Sequence, residues 1–325
     1  SSFKLTGSAD VYYRYNFYNN KTAPYNNFTS FTNSQNSFEL GMASLKAEHS
    51  IGKVSMVADL GFGKRAEEFS YNDSKSMLAI KQLYISYAIS SKVKLTAGSW
   101  GTHVGYELVD AYANRNYSMG YMFSYGPFFH TGLKAEITTS KKSVLMVGIA
   151  NPTDLKTASG LKKFAIAQFA TATTDDKLKL YLNYQGGKPV DTGRLSQFDL
   201  VATYALSSKL SLGYNGTVQT RQTQVDAKWS DSKSWWGSAL YVNYDPASWF
   251  GLTLREEYFD DKKAVLGFNI SIFASTLSAN FRIDNLTIIP ELRLDNSNNT
   301  LFANKDGELK KNNGGTFLLA AVYKF

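Results

Sequence analysis

Histidine is the side chain that titrates near neutrality, and the chain has three: His49, His103 and His130. None has a second histidine or a carboxylate at a recognised metal spacing, so no metal and no cofactor are expected. Cysteine is absent, which excludes thiolate nucleophiles, disulfides and Cys-bound metals. A hydrolase needs a nucleophile, a histidine and an orienting polar group within hydrogen-bond reach. Nothing local supplies that set, and an enzyme is not expected. His130, in the run G-P-F-F-H-T-G, reads as a packing or hydrogen-bonding residue.

The chemistry on offer is electrostatic. Many segments alternate apolar and polar residues, and the polar stripe carries the charges. Its basic positions are Arg14, Lys94, Lys134, Lys177, Lys179, Arg221, Arg255, Arg282, Arg293 and Lys324. Its acidic positions are Asp10, Asp59, Glu136, Asp199, Glu257, Glu291 and Asp295. Around a wet passage such a set biases which ions pass; alternatively, it is a set of paired charges that only keeps a wall hydrated. Glu291 and Arg293, two apart on one face, are placed to pair with each other. Tyr12, Tyr84, Trp100 and Tyr181 share the stripe, as space-fillers or as stacking faces for sugars. The longest connection, residues 103–128, offers Glu107, Asp110 and Arg115 as charges for a constriction. The same residues also fit an ordinary external loop, or an extra hairpin over 117–125.

The elements that carry these residues are strands. Side chains in a strand alternate between faces, and Val54, Met56, Ala58, Leu60 and Phe62 keep that phase. So do Leu178, Leu180, Leu182 and Tyr184, and Phe198, Leu200, Ala202 and Tyr204. Sixteen such stretches are expected. They are joined by seven short turns, at 50–52, 90–92, 140–142, 173–176, 207–209, 245–248 and 284–285, alternating with eight longer loops. Both termini then fall on the short-turn side. The runs Y-A-I-S-S-K-V-K-L-T-A-G (87–98) and Y-A-L-S-S-K-L-S-L-G (204–213) are one hairpin pattern used twice. A bulge is expected near Ala43. Residues 143–150 and 162–172 alternate poorly. Pro290 falls mid-strand, where it removes a ladder donor.

With 325 residues, 14% aromatic content and no apolar run long enough for a membrane helix, this pattern predicts an all-β, transmembrane, antiparallel up-and-down barrel of about sixteen strands, spanning 1–325 as a single domain. In lipid every backbone polar group must be paired, and a closed sheet has no edge. The apolar stripe then faces lipid and the polar stripe a wet interior, too wide for side chains to fill. The net charge of +8 is spread along the chain, so nucleic acid is not an expected partner. No leader-like segment opens the chain, so a signal peptide is expected to have been removed.

The terminal run T-F-L-L-A-A-V-Y-K-F resembles the closing strand of bacterial outer-membrane barrels, whose final Phe, here Phe325, forms part of the signal read by the barrel-assembly machinery. Two stretches narrow the likeness: Gly98 to Gly132, with G-S-W-G-T-H-V-G-Y-E (98–107), N-R-N-Y-S (114–118) and the G-P-F-F-H-T-G run (126–132), and Asp284 to Asp295, D-N-L-T-I-I-P-E-L-R-L-D. Together they resemble the OmpL-like family of β-barrel porins (β-barrel porin-2). The resemblance implies an outer-membrane location and a pore for small hydrophilic solutes or ions, and it implies no substrate. By position, loop 103–128 is similar to the third loop that narrows general porins. The second reading is a scaffold barrel that anchors partner proteins in an outer-membrane complex, and a homo-oligomer fits either.

Overall fold

The computed structural model describes residues 1–325. Sixteen long strands form one closed antiparallel sheet: β1 (Ser2–Asn16), β2 (Ser37–Ile51), β3 (Val54–Phe62), β4 (Ile80–Ala88), β5 (Val93–Gly101), β6 (Phe129–Thr138), β7 (Ser143–Ala150), β8 (Phe164–Ala172), β9 (Leu178–Val190), β10 (Gly193–Ala205), β11 (Leu210–Val225), β12 (Lys233–Ala247), β13 (Phe250–Asp260), β14 (Ser271–Ile283), β15 (Leu286–Ser297) and β16 (Asn313–Lys324). Each pairs with its neighbour in sequence, and β1 pairs with β16 from Ser8↔Lys324 to Asn16↔Thr316. Gly7 and Phe325 exchange backbone hydrogen bonds of 3.0 and 2.9 Å at the seam.

The outer face is apolar, as the alternation requires in lipid. Leu182, Leu240, Leu277 and Leu292 are exposed on it. Phe17, Phe38, Phe62, Trp236 and Phe273 ring the long-loop end, and Tyr87, Tyr204, Tyr244, Trp249 and Tyr323 ring the other. Exposed aromatics at both rims are the interfacial girdles of an outer-membrane barrel. Leu182→Arg, set on this face, is expected to destabilise the barrel by roughly 2–4 kcal/mol if it lies near the midplane. Thr203→Arg, on the inner face, costs much less. Urea unfolding in lipid vesicles checks the pair, and equal costs reject the assigned facing.

Two local readings are sharpened and one is corrected. The bulge lies at Gly41, where the β1–β2 register steps from Asp10↔Met42 to Val11↔Leu40. The fifth long connection is a two-residue turn at 191–192, because β9 and β10 continue their ladder through Gly186, Gly187 and Gly193. The glycines and Pro189 imitate loop composition, but the backbone bonds persist. Residues of β7 and β8 are apolar on both faces. Val147 and Ile149 face lipid, while Met146, Ala150 and Ile166 pack inward on Trp100.

Pro290 now has an account. The β14–β15 register runs to Ser278↔Glu291 and resumes at Phe281↔Ile288, leaving Pro290 in the gap. The donor it lacks falls where the ladder to β14 is open.

The long-side connections are L1 (17–36), L2 (63–79), L3 (102–128), L4 (151–163), the turn L5 (191–192), L6 (226–232), L7 (261–270) and L8 (298–312). L2 carries a short helix α1 (Lys64–Phe69), and L3 a short helix α2 (Tyr121–Tyr125).

Candidate functional site

L3 folds into the barrel and is held there through its backbone. Six consecutive residues, Tyr117 to Met122, supply the held groups, and carboxylates of the wall and of Glu107 accept their N–H bonds. Glu291 accepts from Tyr117 at 2.8 Å and Ser118 at 3.2 Å. Glu257 accepts from Tyr121 and Met122, both at 2.8 Å. Glu107, itself in L3, accepts from Gly120 at 2.7 Å. Arginines donate to the carbonyls between: Arg65 to Tyr117 at 3.5 Å, Arg255 to Ser118 at 2.7 Å and Arg293 to Met119 at 2.8 Å. A buried loop must have its backbone groups paired. Here ionised side chains do it, and charge-assisted bonds are the stronger kind.

Side chains complete the clamp. Asn116 donates to Ser278 Oγ at 2.7 Å, and the Tyr117 hydroxyl to Asp10 at 2.6 Å. The Tyr121 hydroxyl donates to Asp295 at 2.7 Å. Arg65, fully buried on α1, lies between the rings of Phe31 and Tyr117, 4.8 and 4.9 Å from their centroids. It also donates to Val109 O at 3.0 Å. L2 thus reaches into the lumen to hold L3. Above it Phe31, Phe69, Met119, Phe123, Phe128 and Phe129 form an apolar cluster shared by L1, L2, L3 and the start of β6.

The expected wall charges divide into two groups. Arg14, Arg255, Glu291 and Arg293 project inward but are covered by loops. Arg14 donates to Ser34 O at 2.6 Å and Tyr25 O at 3.1 Å, which anchors L1. Arg255 pairs with Glu107, and Arg293 pairs with Asp295 at 2.8 Å. Glu291 and Arg293 do not pair with each other, because each is taken by L3. The second group stays wet. Lys94 pairs with Glu136 at 2.6 Å, and Lys134 lies 3.8 Å from the same carboxylate and 4.8 Å from the Trp100 ring. Lys179 is exposed near the short-turn rim. Arg282 shares Asp245 with Arg115, at 2.8 and 2.7 Å. Arg221 is exposed at the long-loop mouth, bonded to Gln219 at 2.7 Å.

The three loop candidates are all inside the barrel. Glu107 is buried against Arg255, Asp110 takes Lys81 at 2.5 Å, and Arg115 forks onto Asp245 at 2.9 and 2.7 Å. Three buried cations, Lys81, Arg65 and Lys156, were missed by sequence reasoning; Lys156 pairs with Asp73 at 2.6 Å. Lys81, which also reaches Asp59 at 3.1 Å, precedes the stretch whose alternation is legible. Arg65 lies in a connection whose charges read as solvated. The rings of His103 and His130 lie with centroids 4.7 Å apart, tilted by 37°; His130 Nε2 bonds Thr102 and His103 Nε2 bonds the Tyr184 carbonyl.

Each of the sixteen strands contributes a buried inward side chain. Tyr12, Met42, Asp59, Lys81, Trp100, His130, Met146 and Ile166 cover half the circle; Gln185, Gln197, Gln219, Tyr241, Arg255, Thr276, Glu291 and Leu318 cover the rest. Cavities open on both sides of L3. On the long-loop side a cavity of about 460 Å³ is lined by Glu68, Tyr71, Tyr125, Phe128, Asp154 and Arg221, among others. On the other side, cavities of about 170 and 140 Å³ meet Tyr112 and Arg115 of L3.

The end of L3 is fixed by L4. Asp154 accepts from Phe128 N at 2.6 Å, Phe129 N at 3.0 Å and the Tyr71 hydroxyl at 3.1 Å. Burial pushes its carboxyl up to about 7, against these bonds and the nearby Lys156 ammonium, which pull it down. Because the folded chain then holds this proton above the ordinary carboxyl value of 3.8, stability is expected to fall as pH rises from about 4 to about 7. The loss is at most about 4 kcal/mol. Asp154→Asn should remove this component, as read by denaturant unfolding at a series of pH values. Parallel pH curves for the two proteins would reject the assignment.

The comparisons decide the family. The family model described as "Putative beta-barrel porin-2, OmpL-like" matches residues 2–325. The chain belongs to this porin family. It is an outer-membrane porin, a channel for small hydrophilic solutes or ions, and these matches do not favour the scaffold reading. No curated protein matches it in sequence. Among solved structures it is similar to an anion-selective porin from Comamonas acidovorans, at TM-score 0.65 and 12% identity, over 100% of this chain and 99% of that one. It is similar to the outer membrane channel DcaP of Acinetobacter baumannii, at TM-score 0.67 and 10% identity, over 100% and 97%. OmpT of Vibrio cholerae follows at TM-score 0.63 and 10% identity, over 99% and 97%. At such identities the likeness is one of fold. All three are porins or outer-membrane proteins, and the apolar girdled face of this porin fits the same location.

Proposed function

We propose that this porin passes small hydrophilic solutes by passive diffusion and that L3 sets its bore. One observation carries the reading: the L3 backbone is gripped on the wall by Glu257, Glu291, Arg255 and Arg293. A segment held by a few charged groups on a rigid wall is one whose position those groups control. Single-channel recording in planar bilayers tests this. A small conductance that rises when the grip is removed supports it, and a conductance that ignores L3 sinks it.

Ion preference follows from the charges that stay wet. Arg14, Arg255 and Arg293 are covered, while Lys94, Lys134, Lys179 and Arg221 face water in part. We expect a weak anion preference, seen at low salt and faded where the screening length falls below ~10 Å. The Comamonas acidovorans neighbour is an anion-selective porin, which supports the direction. Neutralising Lys94, Lys134 and Lys179 together should move the reversal potential under a salt gradient toward cations. An unmoved potential would show that these lysines do not set the field.

The chain acts in this reading as one barrel domain without catalytic function. The barrel-assembly machinery, reading the closing strand β16, places it in the outer membrane. One neighbouring OmpT structure is described as a trimer form, which supports a homo-oligomer here.

A further inference from the structure

The cavity of about 460 Å³ above L3 holds two opposite charges that do not meet. Arg221 has one hydrogen bond, from Nε to Gln219 Oε1 at 2.7 Å, and no ion pair, so its two terminal nitrogens are free. Glu68 accepts from Phe31 N at 2.7 Å through one oxygen and has no cation paired to it, so its other oxygen is free. Both line the same cavity, and they are not paired with each other. The other acid lining the cavity, Asp154, and the neighbouring Asp261 are occupied. Asp154 uses both oxygens on Phe128, Phe129 and Tyr71, and Asp261 uses both on Val265, Leu266 and Phe268. The aromatic side chains of Tyr71, Tyr125 and Phe128 line the same cavity. The volume is within the ~300–1,000 Å³ of small-molecule sites.

A free guanidinium recognises a carboxylate, often through two parallel bonds. A free carboxylate recognises an ammonium. An aromatic surface in the same cavity accepts an apolar side chain. We propose that the mouth of this porin is a capture site for a zwitterionic amino acid or short peptide, with its carboxylate on Arg221, its ammonium on Glu68 and its side chain against Phe128 and Tyr125. L1, L2, L3, L4, L7 and the walls of β10 and β11 all contribute to the cavity, so a captured solute rests directly on the segment that sets the bore. The inference deepens the porin reading by naming a solute class, and it rests on that reading for its role in passage.

Calorimetry on the full-length barrel in detergent tests it with three probes of one shape: leucine, 4-methylpentanoate (no ammonium) and 3-methylbutylamine (no carboxylate). Leucine should bind about tenfold tighter than either, the worth of one charge-assisted contact. Arg221→Gln should weaken leucine by about the same factor and leave 3-methylbutylamine unchanged. Glu68→Gln, which keeps an acceptor for Phe31 N, should weaken leucine and leave 4-methylpentanoate unchanged. Equal binding of leucine and 4-methylpentanoate would overturn the proposal and leave a simple anion site. No binding of any probe would also overturn it. Because no current is measured, the two readings fail separately. A conducting barrel that binds nothing loses the capture site alone, and a binding barrel that carries no current loses the porin reading alone.

Discussion

Glu257→Leu with Glu291→Leu raises single-channel conductance severalfold and makes it noisy. The two carboxylates accept the N–H groups of Tyr117, Ser118, Tyr121 and Met122. Leucine accepts nothing, and a buried donor without a partner costs about 1–3 kcal/mol. Four such donors, with Arg255 and Arg293 left short of negative charge, outweigh what still holds the segment. L3 then leaves the wall, and a sixteen-stranded barrel without its inner loop is a wide aqueous passage. The wall is unaffected because its ladder does not use these side chains. Circular dichroism should therefore remain that of the parent barrel while the current rises. A conductance equal to the parent's would mean that L3 is held elsewhere or lies off the conducting path.

Arg65→Met removes the cation that L2 places inside the barrel. Asp10 then keeps only the Tyr117 hydroxyl, and the carbonyls of Val109 and Tyr117 lose their donor. Breaking one side of a buried ion pair costs about 3–5 kcal/mol. The methionine fills the space between Phe31 and Tyr117 but returns none of the bonds. The expected result is an L3 cut by chymotrypsin in the folded barrel at rates the parent never reaches. Lys64→Ala is the contrast: Lys64 lies one residue away, half-exposed and 3.8 Å from Glu39. It should cost under ~1 kcal/mol and leave L3 protected. Equal protection in both variants would show that Arg65 does not hold the loop.

The difference between Arg65 and Lys64 explains what was legible in the sequence. Strands facing lipid write their positions plainly, since one face must be apolar over its whole length. All sixteen could be found from stretches such as Val54–Phe62. Where the inner face is also apolar, the alternation disappears. Met146, Ala150 and Ile166 face a lumen filled by protein, so β7 and β8 read poorly. Local turn chemistry misled at Gly186, Gly187 and Gly193, which sit inside a continuous ladder. The charged stripe was legible as inward-facing. What each charge does there was not, because it depends on loops that fold back from far along the chain. Glu291 meets Tyr117 across 174 positions. Neither spacing nor composition encodes that contact, so Arg255, Arg293 and Glu291 read as channel charges when they are the fixings of L3. Arg65 had no periodic setting at all to mark it.

The chain has no cysteine, so a single engineered pair reports one contact. Asn116 and Ser278 touch through side chains at 2.7 Å, which makes Asn116→Cys with Ser278→Cys a direct tether between L3 and β14. Placed in the Glu257→Leu, Glu291→Leu barrel, this pair tests whether L3 sets the bore. Oxidation should lock the loop back on the wall and return the small conductance of the parent, and reduction in the same bilayer should restore the large one. One conductance in both redox states, with the disulfide verified by mass, would contradict the account.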